Sequence, residues 1–254
     1  MLTYAVIVPA RDEEPRIGAC LDAIRAAAHA ANAGVEVVVV TNRCTDRTAD
    51  VARAHGARVI DDPGHSLAAV RNAGARASQS DVIVTVDADS LVSPNTFVEI
   101  DRALASGRCV GGGVPIRPER MSPGILVSVV VLALLIAPLG VSAGLFWCWR
   151  RDFEAIGGFD ERRRVAEDVD FALRLKAHAR ASGRRTGTLR RAPIRTSCRK
   201  FDRFGDWFFL RLLVCHPVRV WRMLRGHNDP MVDQFFYRFQ YREDLPPGGQ
   251  SGSP

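Results

Sequence analysis

A run of apolar, mostly β-branched residues, Val82 to Val86, ends abruptly in Asp87-Ala88-Asp89. Five such residues read as a strand buried on both faces, the kind found in parallel sheets covered by helices. In open α/β sheets, ligands bind just past the carboxyl ends of the strands. Two carboxylates at i and i+2, placed there, suit a hard divalent cation. Mg²⁺ or Mn²⁺ prefers oxygen ligands and keeps positions open for phosphate oxygens. Taken alone, the same three residues also describe a strand end with two solvated aspartates.

The chain before this stretch supplies the rest of a parallel sheet. Tyr4 to Val8 reads as a first strand, and Pro15 to Ala31 as a helix with proline in its first turn and acids just ahead of it. Val35 to Val40 is a second strand. A loop follows, with Thr45 or Asp46 as N-cap of a helix reaching about His55. Arg58 to Ile60 is a third strand and Leu67 to Ala77 a third helix. This alternation predicts an α/β fold with a mostly parallel sheet flanked by helices. G-x-G-x-x-G and G-x-x-x-x-G-K-[ST] are both absent, so neither a dinucleotide fingerprint nor a P-loop is present. Farther on, Asn95 to Ala105 reads as a helix and Arg108 to Val114 as a strand. Trp147 to Arg150 reads as another strand and Asp152 to Ile156 as a short helix. Glu167-Asp168 opens an amphipathic helix, Val169 to Ala179.

Met121 to Trp149 carries no charge. Its length makes it a transmembrane candidate, but Pro138, Gly140 and Gly144 interrupt it. Its best helical core, Ile125 to Ala137, is short for a span. The formal charge is +7, and the basic excess lies after Arg150. An anionic partner for the C-terminal half follows: phosphate, an acidic membrane surface or nucleic acid. Nucleic acid is not expected, because no binding motif accompanies the charge. Trp207 to Leu213 and Val218 to Arg225 mix aromatics, aliphatics and arginines, as interfacial helices do. Packed helices with snorkelling arginines read the same way. None of the six cysteines forms a C-x-x-C pair, so reduced thiols and a cytoplasmic location are expected, and no leader peptide is evident.

Four segments, in this order and spacing, resemble the family-2 glycosyltransferases of GT-A fold. The resemblance covers roughly Ala5 to Gly183. Val6-Ile7-Val8-Pro9-Ala10-Arg11-Asp12-Glu13-Glu14 is similar to the family's opening strand and loop. Asn42-Arg43-Cys44-Thr45-Asp46-Arg47-Thr48 is similar to its D-G-S-x-D-x-T loop. Arg71-Asn72-Ala73-Gly74, followed by Val86-Asp87-Ala88-Asp89, is similar to its R-N-x-G helix and DxD strand. Gly157-Gly158-Phe159-Asp160, followed by Glu167-Asp168-Val169-Asp170, is similar to its G-G-F-D and E-D segments.

The resemblance implies a metal-dependent enzyme that moves a sugar from a nucleotide-diphospho-sugar to an acceptor hydroxyl with inversion. It implies that Asp89, and Asp87 directly or through water, hold Mg²⁺ or Mn²⁺. Pro9, Ala10, Arg11, Glu13, Asn42, Arg71 and Ala88 would line the donor site. Asp168, beside Glu167, would be the general base, kept ionised by its place at a helix start. His216 and His227 are candidate third metal ligands, with a structural role as the bland alternative. Arg199-Lys200 is either a loop closing over the diphosphate or a solvated basic loop. Asn42 stands where the family often has an aspartate that reads uracil, so UDP- and GDP-linked donors both stay open. The expected organisation is a GT-A domain over 1–195, with a nucleotide-binding half at 1–114 and an acceptor half at 115–195. A helical basic and aromatic extension at 196–243 and a disordered tail at 244–254 would follow.

A single membrane span through Ile125 to Trp149 would part Asp89 from Asp168, so it is incompatible with one shared site. A buried, subunit-interface or membrane-surface helix fits instead, and a lipid-linked acceptor, peripheral membrane contact and a homo-oligomer follow as candidates. Two rivals keep the fold: a nucleotidyltransferase that makes the nucleotide-sugar, and a non-catalytic binding or scaffold protein.

Overall fold

The computed structural model describes residues 2–64, 66–136, 139–142, 144–163, 165–216 and 218. In chain order the elements are β1 (Thr3–Ala10), α1 (Glu14–Ala31), β2 (Gly34–Thr41), α2 (Thr48–Ala54), β3 (Arg58–Asp61), α3 (Leu67–Arg76), β4 (Val82–Thr85) and β5 (Ser90–Leu91). Then come α4 (Thr96–Leu104), β6 (Cys109–Gly113), β7 (Ile116–Pro118), α5 (Pro123–Ile136), β8 (Phe146–Trp149) and α6 (Arg150–Ala155). The last are α7 (Glu167–Ala181), β9 (Arg185–Thr188), β10 (Ile194–Thr196), α8 (Arg199–Phe204) and α9 (Phe208–Cys215).

Seven strands form one sheet in the order β3-β2-β1-β4-β8-β6-β9. The pairs β3-β2, β2-β1, β1-β4 and β6-β9 are parallel, while β8 runs antiparallel to both neighbours. This is the mixed α/β sheet the apolar runs predict. β1 is an interior strand between β2 and β4, and its residues from Tyr4 to Ala10 are all buried. Alternate side chains face opposite cores. Val6 and Val8 pack with Ile17, Leu21 and Ile24 of α1 and with Phe97 and Ile100 of α4. Ala5 and Ile7 pack on the other side with Val70, Phe153, Phe159, Phe171 and Leu175. There the Phe159 and Phe171 rings stack with centroids 4.2 Å apart.

Two features depart from the sequence reading. The cap of α2 is Arg47, with no side-chain cap bond. Asp46 is diverted instead: its carboxylate accepts the backbone N–H of Glu14 and of Thr48, each at 2.9 Å, tying two loops together. A second, three-stranded sheet, β5-β10-β7, is also unforeseen. Its strands are two or three residues long, too short to show a period. They matter to the site. β4 stops at Thr85, Val86 donates to Ile7 O at 3.0 Å, and the chain enters the second sheet at Ser90. Asp87-Ala88-Asp89 is therefore the passage between two sheets.

Gly74 sets the height of α3 above the sheet. A Cβ there would lie 2.3 Å from Ile7 Cγ2 and 2.8 Å from Val40 Cγ2. Both neighbours are rigid, β-branched and buried in the strands that carry the site. Gly74→Ala should lower stability by about 1–3 kcal/mol, the usual range for overpacking. Denaturant melts would show it, and an unchanged midpoint would contradict the packing.

Candidate active site

Three strand ends converge. β1 ends at Pro9-Ala10, β2 at Thr41 beside Asn42, and β4 just before Asp87. Ala10 O accepts the Asn42 N–H at 2.9 Å, and Ala10 is 3% exposed. The loop after β1 is pinned by the loop after β2. Glu13 N donates to Thr48 Oγ1 at 2.8 Å, and Thr45 N donates to Asp12 Oδ1 at 2.6 Å. Arg47 pairs with Glu14 at 2.8 Å. Asp12 and Arg43 both take positive φ, near 50° and 55°, an unusual conformation for non-glycine residues that these crossed bonds hold. Arg43 stands at the position of the motif's glycine.

The R-N-x-G segment joins the other two motifs. Arg71 is 5% exposed. Its Nη2 donates to Asp87 Oδ1 at 2.9 Å and its Nη1 to Glu167 Oε1 at 3.0 Å. Asn72 donates to Phe159 O and accepts from Phe159 N, each at 2.9 Å. It thereby fastens the Gly157-Gly158-Phe159 turn. Gly158 permits this approach, since a Cβ there would meet Asn72 Oδ1 at 2.6 Å. Arg174 of α7 donates to Ile156 O and Gly158 O, both at 2.8 Å, and pairs with Asp170. The Asn72 and Arg174 roles escape sequence reading because each partner is a backbone carbonyl or amide far along or across a turn.

Glu167 and Asp168 open α7 after Ala166, whose φ is 55°. Asp168 is half-buried and accepts its neighbour's Val169 N–H at 2.7 Å. Burial raises its carboxyl above the usual range, with the Arg71 charge opposing. The helix start, expected to hold Asp168 well ionised, is thus outweighed by desolvation. Glu167 is raised by burial in the same way.

Cations already face the acidic pair. Arg199, the first residue of α8, lies with Nη1 2.6 Å from Glu13 Oε1 and Nε 3.3 Å from Asp89 Oδ2. Ser197 N donates to Asp89 O at 3.3 Å. Burial, then Arg199, lowers the Lys200 ammonium, while Asp89, Asp87 and Glu167 oppose the shift. Burial raises Asp89 and Asp87 adds to it, against Arg199. Basic side chains gathered on Asp87 and Asp89 mark a strongly anionic, hard-oxygen pocket. Asp87 keeps half its side-chain surface exposed. Two carboxylates with open positions beside them fit Mg²⁺ or Mn²⁺, which keep water or phosphate ligands.

His216 ends α9, exposed, and joins no three-group cluster with Asp87 and Asp89 among the described residues. Ahead of α9, Arg120 holds Asp202 of α8 at 2.9 Å and Asp206 of the intervening loop at 2.8 Å. His227 lies outside the described residues. In the one three-group cluster among the described residues, Asp12, Cys44 and Asp46, both Asp46 oxygens and Asp12 Oδ1 accept the loop bonds above.

The sheet order, the acidic passage and the second small sheet define a GT-A glycosyltransferase fold. Residues 5–122, a little under half of the chain, match the family model described as glycosyl transferase family 2. An uncharacterized glycosyltransferase of Mycobacterium tuberculosis is 33% identical over 109 residues, 41% of this chain and 47% of that protein. A Mycobacterium bovis counterpart matches equally. The chain spans about half the length of these curated relatives. Among solved structures, S. aureus TarS 1–349 in complex with UDP-GlcNAc has a TM-score of 0.62 at 16% identity, covering 94% of this chain and 72% of that one. The mannosyltransferase PcManGT of Pyrobaculum calidifontis, in complex with GDP-Man and Mn²⁺, has 0.60 at 20% identity, covering 94% and 68%.

Glu13 gives the site a pH signature. Burial pushes its carboxyl up to about 7, with Arg199 opposing. A raised carboxyl favours folding fully below its ordinary value, and that contribution is lost as pH rises through about 7. Between about pH 5 and 8 the wild-type protein should lose up to about 3 kcal/mol relative to Glu13→Gln. Denaturant melts across that range test it; parallel curves for the two proteins would contradict it.

Proposed function

We propose that the protein transfers a sugar from a nucleotide-diphospho-sugar to an acceptor hydroxyl, with inversion and with a divalent metal. The observation that carries this reading is the Arg71 bridge. One guanidinium bonds Asp87 at 2.9 Å and Glu167 at 3.0 Å, which supports a shared site for donor activation and proton removal.

Asp89 and Asp87 would hold Mg²⁺ or Mn²⁺, which when bound supplies positive charge to the departing diphosphate. Arg199 and Lys200 lie where the same negative charge would develop and would add to its stabilisation. Arg71 acts as a positioning residue, since its charge is spent on Asp87 and Glu167. Asp168 would take the acceptor's proton. A carboxyl raised by burial is a better base than a fully solvated one. Pro9, Ala10, Arg11, Glu13 and Ala88 would line the donor pocket.

Asn42 bears on the base. Both of its amide hydrogens are taken, by Asp62 O at 2.6 Å and Gly64 O at 2.9 Å. Facing two carbonyls, the side chain must present nitrogen to them, which leaves Oδ1 as a pure acceptor. That is the hydrogen-bonding character of the aspartate it replaces. The reading therefore favours a base with an imide-type N–H, uracil or guanine. A lipid-linked or otherwise hydrophobic acceptor is supported by the apolar surface described next.

Asp168→Asn should cut turnover by roughly 10²–10⁴ while leaving nucleotide binding intact. Asp89→Ala should abolish the metal-dependent rise in melting temperature with UDP or GDP. Diphosphate release from a panel of UDP- and GDP-sugars, beside thermal shifts, measures both. Release of pyrophosphate would instead support the nucleotidyltransferase rival. No shift with any nucleotide would support the scaffold.

A further inference from the structure

α5 is anchored at one end and bare at the other. Ile125 and Ser128 are buried, and Gly124 lies so close to the start of α9 that a Cβ would meet the Asp206 carbonyl carbon at 2.8 Å. On the opposite side Leu126 is 50% and Val130 47% exposed, and beyond Val130 exposure extends all round. Leu132 is 50% exposed, Leu134 68% and Leu135 50%, and Ala133 between them is exposed as well. Four successive residues, at about 100° each, cover the whole circumference of a helix. The outer turn of α5 is therefore apolar on every side, and each of its three leucines leaves half or more of its surface exposed.

That pattern selects the occupant. A second copy of the chain would cover one stripe and leave the opposite side of the helix in water. A fluid apolar layer covers all sides at once. The exposed turn is about 6 Å long, within the 5–10 Å to which interfacial helices sink. The whole helix has 14 residues, about 21 Å, against a hydrocarbon core of about 30 Å. No helix among the described residues is long and apolar enough to cross a membrane. Both ends of α5 also return to the body, through β7 and β8.

The surroundings supply the rest. α9 packs beside α5 and exposes Trp207, Val214 and Arg211, and Val218 follows, 67% exposed. Arg117, before α5, is exposed. The sequence continues beyond the described residues with Arg219, Arg222 and Arg225. A helix with an apolar outer turn, packed beside a second helix that exposes Arg211 and Val214, complements an anionic lipid surface. The same segment reaches the site directly. β10 pairs with β5, which begins directly after Asp87-Ala88-Asp89, and α8 and α9 follow it.

We propose that the outer turn of α5 inserts into the headgroup–acyl boundary of an anionic bilayer, with α9 lying against its surface. This deepens the hydrophobic-acceptor reading above and rests on it only for the acceptor's direction of approach. The site would then face a membrane-borne acceptor.

The test is co-sedimentation of the full chain with two kinds of vesicle, pure phosphatidylcholine and equal parts phosphatidylcholine and phosphatidylglycerol. The expected result is binding to the mixed vesicles, several-fold weaker to the neutral ones and weakened by salt. A Leu134→Asp, Leu135→Asp double variant should lose at least tenfold in binding. Its melting temperature and its nucleotide-dependent shift should stay unchanged, because both side chains are largely exposed. No wild-type binding to either vesicle overturns the proposal, as does binding indifferent to the double substitution. So does a lipid-free dimer in sedimentation velocity that the double substitution dissolves, which would assign the face to a second copy. If vesicle binding fails while the nucleotide shift persists, only this proposal falls; if the shift alone fails, the transfer reading falls.

Discussion

One buried guanidinium holds the site together. Arg71 lies between Asp87, at the end of a central strand, and Glu167, at the start of α7. A charge buried this deeply is costly unless it is paired and hydrogen-bonded. Here it is paired twice, and the two partners come from segments 80 residues apart in sequence. The fork geometry of arginine suits this, since two nitrogens of one plane reach two separate carboxylates. α3 can deliver Arg71 to that point because Gly74, three residues on, lets the helix rest directly on Ile7 and Val40. Asn72, between them in sequence, fastens the turn that precedes α7. Arg71-Asn72-Ala73-Gly74 thus has a separate mechanical duty at three of its four positions.

The electrostatics of the pocket follow from crowding. Glu13, Asp87, Asp89, Glu167 and Asp168 converge from three segments, and burial raises Glu13, Asp89, Glu167 and Asp168. Arg71 balances this charge from below, and Arg199 and Lys200 face it from α8. Arg120 holds that helix through Asp202 and the loop after it through Asp206. The basic segment over the site is therefore anchored by contacts that lie outside the pocket itself.

Much of this was legible in the sequence. Continuous apolar runs at Val6–Val8, Val37–Val40 and Val82–Val86 announce buried parallel strands, and the sheet carries them at its centre. The abrupt end of the Val82–Val86 run marked Asp87-Ala88-Asp89 as a strand-end site, and the family resemblance implied the residues around it. Three things were not legible, for physical reasons. Strands of two or three residues, such as β5 and β10, have no period to read. The pairing of Arg199 with Glu13 and Asp89 joins residues more than 100 positions apart, and a lone arginine in a basic loop carries no mark of it. The state of Asp168 depended on a competition between a helix start and desolvation, and only burial in three dimensions decides it.

The most direct test of this account is a double-mutant cycle on Arg71 and Glu167, read by denaturant unfolding. Arg71→Met leaves two carboxylates facing each other with no cation, and Glu167→Gln removes one of them. If the bridge is the shared support of both motifs, each single change destabilises the protein. The double variant should then lose less than the sum by at least about 1 kcal/mol, as for groups in one buried network. Simple additivity would mean that Arg71 does not couple the two acidic segments, and the account built on that bridge would be wrong.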